Sequence, residues 1–275
     1  MAWKFLNLLV LFLAALSHIS AVNVERKLEP KGPLKVRLDY SLAGQKPMTN
    51  TDSQIMWLFS SHLKFKNDVS SISDLQLKQI AYDAYPEMVR DMLQYKPVLD
   101  RTNKGFPERL PGVMTLLAWG NEIILASSMK GKLAFLTEMN ASPVRTTLEQ
   151  CQTFPGAVRD RKYGHMRDAR CGEVSALHLF YKKYPNKSLK DFKDKVRIVT
   201  VERKGDTYKV INPCGWNKDT NGCDLLLKEH FKVAKWEDVA ITDKGAPQPY
   251  DLKTLAGGLV EVKQPNTNPD QITAC

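Results

Sequence analysis

Two runs in the middle of the chain are almost unbroken in apolar and β-favouring residues: Val113-Met114-Thr115-Leu116-Leu117-Ala118-Trp119 and Glu122-Ile123-Ile124-Leu125-Ala126-Ser127-Ser128. Only Gly120-Asn121 separates them. Two turn residues between such runs predict a tight β-hairpin. A strand with one wet face alternates apolar and polar residues, so runs that are apolar at nearly every position predict strands covered on both faces. A hairpin cannot cover itself. The rest of the chain must therefore supply helices for both sides of a sheet.

The flanking sequence offers them. Ser73 is placed to cap a helix in which Leu75, Leu77, Ile80, Ala81, Ala84, Met88 and Met92 recur near the 3.6 period, and Pro86 is expected to end or kink it. An earlier helix, capped by Thr51 or Asp52, is expected over residues 51–66 from Ile55, Leu58, Phe59 and Leu63. Residues 22–50 read as irregular, punctuated by Pro30, Gly32, Pro33, Gly44 and Pro47. After the hairpin, residues 130–170 read as loop-rich and strongly basic, with Arg159, Arg161, Lys162, His165, Arg167 and Arg170. A helix is expected over 173–184, stopped by Pro185. A strand over 196–202 and a shorter one over 208–211 follow, separated by the Lys204-Gly205 turn, and a further helix begins near Cys223. The tail after Gly245 reads as peripheral. Strand and helix alternating in the second half predict an α/β layer with crossover helices. The expected organisation is an N-terminal irregular and helical extension (22–110), a main domain (111–245) and a C-terminal tail (246–275).

Residues 1–21 read as a targeting segment. Lys4 precedes an apolar stretch from Phe5 to Leu16, and a small, polar exit ends at Ala21. The stretch is short of the roughly 20 apolar residues that a bilayer-spanning helix needs. This predicts a secreted protein that passes an oxidising compartment, and the sequons at Asn140 and Asn186 are compatible with glycosylation there. With 43% hydrophobic and 25% charged residues, a disordered chain is not the expectation. A net charge of +10 attracts polyanions, nucleic acid among them.

The chain has five cysteines, Cys151, Cys171, Cys214, Cys223 and Cys275. An odd count leaves at least one outside intramolecular disulfides. Three metal ligands plus one disulfide account for all five, and by elimination the disulfide is Cys151–Cys275. A hydrolytic zinc site needs three protein ligands and one open position, and Cys171, Cys214 and Cys223 can supply three thiolates. Glu173, two residues after Cys171, is placed to move a proton without binding the metal. The competing reading of Cys214 and Cys223 is a mutual disulfide, which an oxidising compartment favours.

A hairpin, then Cys171-Gly172-Glu173 at a helix start, then a strand, then Pro213-Cys214 before the next helix resembles the signature of the cytidine-deaminase-like superfamily. The likeness spans roughly residues 111–240 and is nearest to secreted, fungal-type deaminase-like proteins. It implies a three-layer α/β fold, a mixed sheet with helices on both faces, and Zn2+ held by Cys171, Cys214 and Cys223. It also implies Glu173 as general acid/base in the hydrolytic deamination of a nucleobase, free or in nucleic acid. The chain departs from the pattern in one respect: eight residues, Gly215 to Gly222, stand between the last two cysteines where the superfamily has two. His165 and Trp216 are candidate substrate contacts, Trp216 as a surface for base stacking. The alternative of a different class is a secreted interaction or effector protein that keeps such a fold with its cysteines in disulfides.

Overall fold

A computed structural model describes residues 28–42, 45–46, 54–55, 57–95, 110–131, 142–152, 169–214 and 222–264. Its centre is the expected hairpin, β5 (Val113–Trp119) and β6 (Glu122–Ser127), paired in antiparallel register with Thr115 opposite Ala126 and Leu117 opposite Ile124. Gly120 makes the turn with φ of 49°, a left-handed conformation that costs glycine little. The strands are covered on both faces, as their unbroken apolar runs require. Alternation divides each strand between two cores. Met114, Leu116, Ala118, Ile123 and Leu125 enter one; Leu117, Trp119, Ile124 and Ala126 enter the other.

Five further strands complete a sheet whose order is β1-β4-β6-β5-β7-β8, with β9 also on β4. They are β1 (Arg37–Leu38), β4 (Phe59–Phe65), β7 (Arg197–Lys204), β8 (Thr207–Ile211) and β9 (Leu259–Lys263). A separate two-residue pair, β2 (Gln45–Lys46) with β3 (Gln54–Ile55), lies outside it. Every strand pair in the sheet is antiparallel, where a mixed sheet is expected; among the described residues the parallel contact is the isolated bridge Ile198–Ala240. The crossover is nevertheless present. β6 and β7 both run antiparallel to β5, which lies between them, so they are parallel to each other and the helix joining them crosses β5.

Four α-helices flank the sheet among the described residues. On the first face lies α1 (Asp74–Leu93), which packs on β5, β7 and β1. On the second lie α2 (Pro143–Gln152), α3 (Gly172–Lys183) and α4 (Cys223–Phe231), with α3 directly on the hairpin. The chain is thus an α/β protein of three layers.

Several expectations are corrected. The helix over 51–66 is not formed: Phe59–Phe65 is β4, central enough to pair with β1, β6 and β9. Its large residues Phe59, Leu63 and Phe65 sit at period-2 positions in the first core, and burial there outweighs a weak helical spacing. The irregular 22–50 segment contains β1, and Leu34 and Val36 before it are buried with its Leu38 on alternate positions. Pro86 does not end α1, which runs on to Leu93. Proline has no amide to donate, so the carbonyl of Tyr82, four residues back, loses its helical partner. The 130–170 stretch includes α2. The tail after Gly245 is not peripheral, since β9 joins β4 and the Gln264 side-chain amide donates to the Leu38 carbonyl at 2.6 Å.

Candidate metal centre

α3 begins where the second core meets the sheet. Ala169 adopts a left-handed φ of 56°, and the Arg170 carbonyl accepts the Met129 amide at 2.9 Å, which ties the chain to the end of β6. Cys171 then occupies the N-cap of α3 with extended backbone (φ −70°, ψ 152°). Gly172 follows in the tightest contact of the region: a Cβ there would lie 2.2 Å from Thr115 Oγ1 and 3.4 Å from the Ala126 carbonyl. Only a residue without a side chain lets the first turn of α3 rest on the hairpin. At the other end of α3, Phe180 meets Trp119 edge-on at 5.1 Å between ring centroids, and Tyr184 meets Trp119 at 6.3 Å. The helix is therefore seated on β5 along its whole length.

Cys214 follows β8, and Cys223 opens α4 after the N-cap Gly222. Cys223 lies back beside Cys214. The Cys223 amide donates to Cys214 Sγ at 3.3 Å, and the Asp224 amide to the Cys214 carbonyl at 3.2 Å. The first amide of α4 thus points at the Cys214 sulfur and the second at the Cys214 carbonyl, which holds Cys214 against the helix start.

The three sequence-predicted ligands converge. Their Sγ atoms all lie within 4.8 Å of one another, and Cys171 Sγ is 3.5 Å from Cys214 Sγ. Sulfurs on a tetrahedral zinc are separated by about 3.8 Å, given bonds of about 2.3 Å. The donor set thus fits a soft divalent ion in spacing as well as in chemistry. The hydrogen bond with Cys214 is the first cause that holds the Cys171 thiol well above its ordinary range. Burial is the first cause for Cys223, followed by its bonds with Cys171 and Cys214. Three crowded sulfurs resist ionising beside one another, and a cation among them removes the conflict.

Glu173, 4% exposed, lies in the first turn of α3 beside this cluster. The Thr200 hydroxyl donates to its Oε1 at 2.9 Å, and Thr200 Oγ1 is 2.8 Å from Thr115 Oγ1. Thr115 and Thr200 are direct partners across β5 and β7. Sequence reasoning missed both threonines and the steric role of Gly172. Each threonine was visible as a lone hydroxyl in an apolar strand, but no local pattern pairs two strands about 85 residues apart. Asp224 next to Cys223 is also buried, and burial raises its carboxyl.

The other candidates are not brought to this site. His165, Trp216, Cys275 and Asn140 lie outside the described residues, as does the expected targeting segment at 1–21. Cys151 falls in the last turn of α2, and its proposed partner lies outside the described residues. Asn186 is exposed in the turn after α3, accessible to modification. Among the described residues no helix is long and apolar enough to cross a membrane. Comparison with protein-family models, curated proteins and solved structures gave no match, so the reading of the site rests on its own residues.

Proposed function

We propose that this chain is a secreted, zinc-dependent hydrolase that deaminates a nucleobase, free or within nucleic acid. The observation that carries the reading is the convergence of Cys171, Cys214 and Cys223 within 4.8 Å, with the buried Glu173 on the same helix start. Three thiolates bind zinc and leave a fourth position open. When bound, zinc supplies Lewis acidity at that position, lowering the pKa of water toward about 7. Glu173 takes one proton from the attacking water and passes it to the ring nitrogen; it then takes the second from the hydroxyl added to the carbon and gives it to the amino group, which leaves as ammonia while the carbon becomes a carbonyl. The net charge of +10 favours an anionic substrate such as a polynucleotide.

Metal content of the purified chain tests the site first. The expectation is one zinc per chain, lost in Cys214→Ser and in Cys223→Ser. Ammonia release from cytidine, adenosine and single-stranded polynucleotides follows, with Glu173→Ala expected to abolish it while zinc remains. A zinc-free protein with a Cys214–Cys223 linkage in its peptide map would overturn the reading in favour of a non-catalytic interaction protein.

A further inference from the structure

Glu173 is not alone on the sheet. Its Oε1 accepts from the Thr200 hydroxyl at 2.9 Å, and Thr200 Oγ1 lies 2.8 Å from Thr115 Oγ1. A hydroxyl carries one proton. Thr200 gives its proton to Glu173, so in the contact with Thr115 it accepts. Both hydroxyl protons are therefore aligned in one direction, from Thr115 through Thr200 to the carboxylate. All three side chains are buried, Thr115 at 0% and the other two at 4% exposure. The threonines face each other across the neighbouring interior strands β5 and β7.

We propose that Thr200, supported by Thr115, is the positioning residue that fixes the Glu173 carboxyl for proton transfer; this rests on the reading of the cysteine cluster as a metal centre. A glutamate in the first turn of a helix has three side-chain torsions, the last of them soft. Anchoring Oε1 on the sheet removes that freedom and sets where the carboxyl stands relative to the sulfurs. A hydroxyl suits a proton shuttle better than a cation does. It donates to Oε1 of the carboxylate, and to the same oxygen when the other one carries the shuttled proton, so the anchor persists in both halves of the cycle. Gly172 serves the same geometry, because its missing side chain lets Thr115 and the α3 terminus approach.

Cobalt(II) in place of zinc in the full chain provides a reading of the metal's surroundings that does not depend on activity. Thr200→Val is expected to take up one cobalt per chain and to shift the ligand-field absorption bands as Glu173→Gln does. Thr200→Ser is expected to keep the bands of the unsubstituted protein. With cytidine or adenosine as substrate, Thr200→Val is expected to lower kcat about tenfold to a hundredfold, the scale of an ångström's misplacement, with KM little changed. Thr200→Ser should recover most of that loss, which a merely structural role does not predict. Bands unchanged in Thr200→Val but shifted in Glu173→Gln would overturn the positioning role and leave the metal-site reading intact. A chain that binds no cobalt at the three sulfurs would overturn both, whereas a Glu173→Gln protein that binds cobalt with unshifted bands would overturn the positioning role alone.

Discussion

Gly172→Ala probes how α3 is seated. The added methyl would stand 2.2 Å from Thr115 Oγ1, 3.0 Å from Thr115 Cβ and 3.4 Å from the Ala126 carbonyl. Non-bonded heavy atoms attract at about 3.5–4.0 Å, so the first contact alone demands a shift of about 1 Å. The obstacle is a hydroxyl on a β-branched residue in a central strand, which cannot swing aside. Forcing a methyl into such a core costs about 1–3 kcal/mol. Alanine's helical preference returns at most about 1 kcal/mol. The expected net loss is therefore about 1–2 kcal/mol, read as a fall in thermal midpoint of about 2–8 °C by circular dichroism. Thr115→Ala alone should cost about 1 kcal/mol through its lost hydrogen bond. In the double variant the worst overlap disappears, so the two losses should fall short of additivity by about 1 kcal/mol. Zinc affinity should follow the same pattern, because lifting α3 displaces Cys171 and Glu173 together. A Gly172→Ala protein as stable as the parent, or two strictly additive losses, would refute the steric argument.

Two further expectations concern pH. On α1, Asp91 accepts the Leu38 amide at 2.8 Å, and burial pushes its carboxyl up to about 6 from 3.8. A raised carboxyl binds protons more tightly in the folded state. Its contribution is thus full below about 3.8 and is lost as pH rises through about 6. Asp91→Asn should remove that slope, worth up to about 3 kcal/mol between those limits, in unfolding free energies measured across the window; an unchanged slope would show that Asp91 does not carry it. His178, buried in α3 with Nδ1 2.9 Å from Ser142 Oγ, behaves oppositely. Burial, then Lys182, holds it down at about 4, so its neutral form stabilises above 6.5 and that contribution is lost as pH falls through about 4. His178→Gln should flatten the acid limb of the stability curve below pH 6.5, and an unaltered limb would contradict the assignment.

Much of the fold was legible from local signals. The hairpin, its turn, the Ser73 cap with its reciprocal Gln76 bond, α3, β7, β8 and the start of α4 lie where pattern and capping put them, because each is decided by residues near in sequence. The Cys171-Gly172-Glu173 and Pro213-Cys214 motifs likewise picked out the residues that converge. Phe59–Phe65 misled because its seven residues carry both a helical and an alternating reading, and only pairing with three other strands decides between them. The role of the tail was invisible for the same reason: β9 has meaning only against β4, about 200 residues earlier.

The sequence by itself determined that there would be a sheet covered on both faces, since the hairpin has no polar face to give to water. It also determined which thiols and which carboxylate stand at helix starts. The tertiary structure alone decided that Cys214 and Cys223, with eight residues between them, lie beside each other and beside Cys171. It alone decided that Thr200 of β7 meets Glu173 and that Thr115 of β5 meets Thr200. Backbone patterning acts over a few residues, whereas these contacts depend on strand order and register, which only the packing of both cores sets.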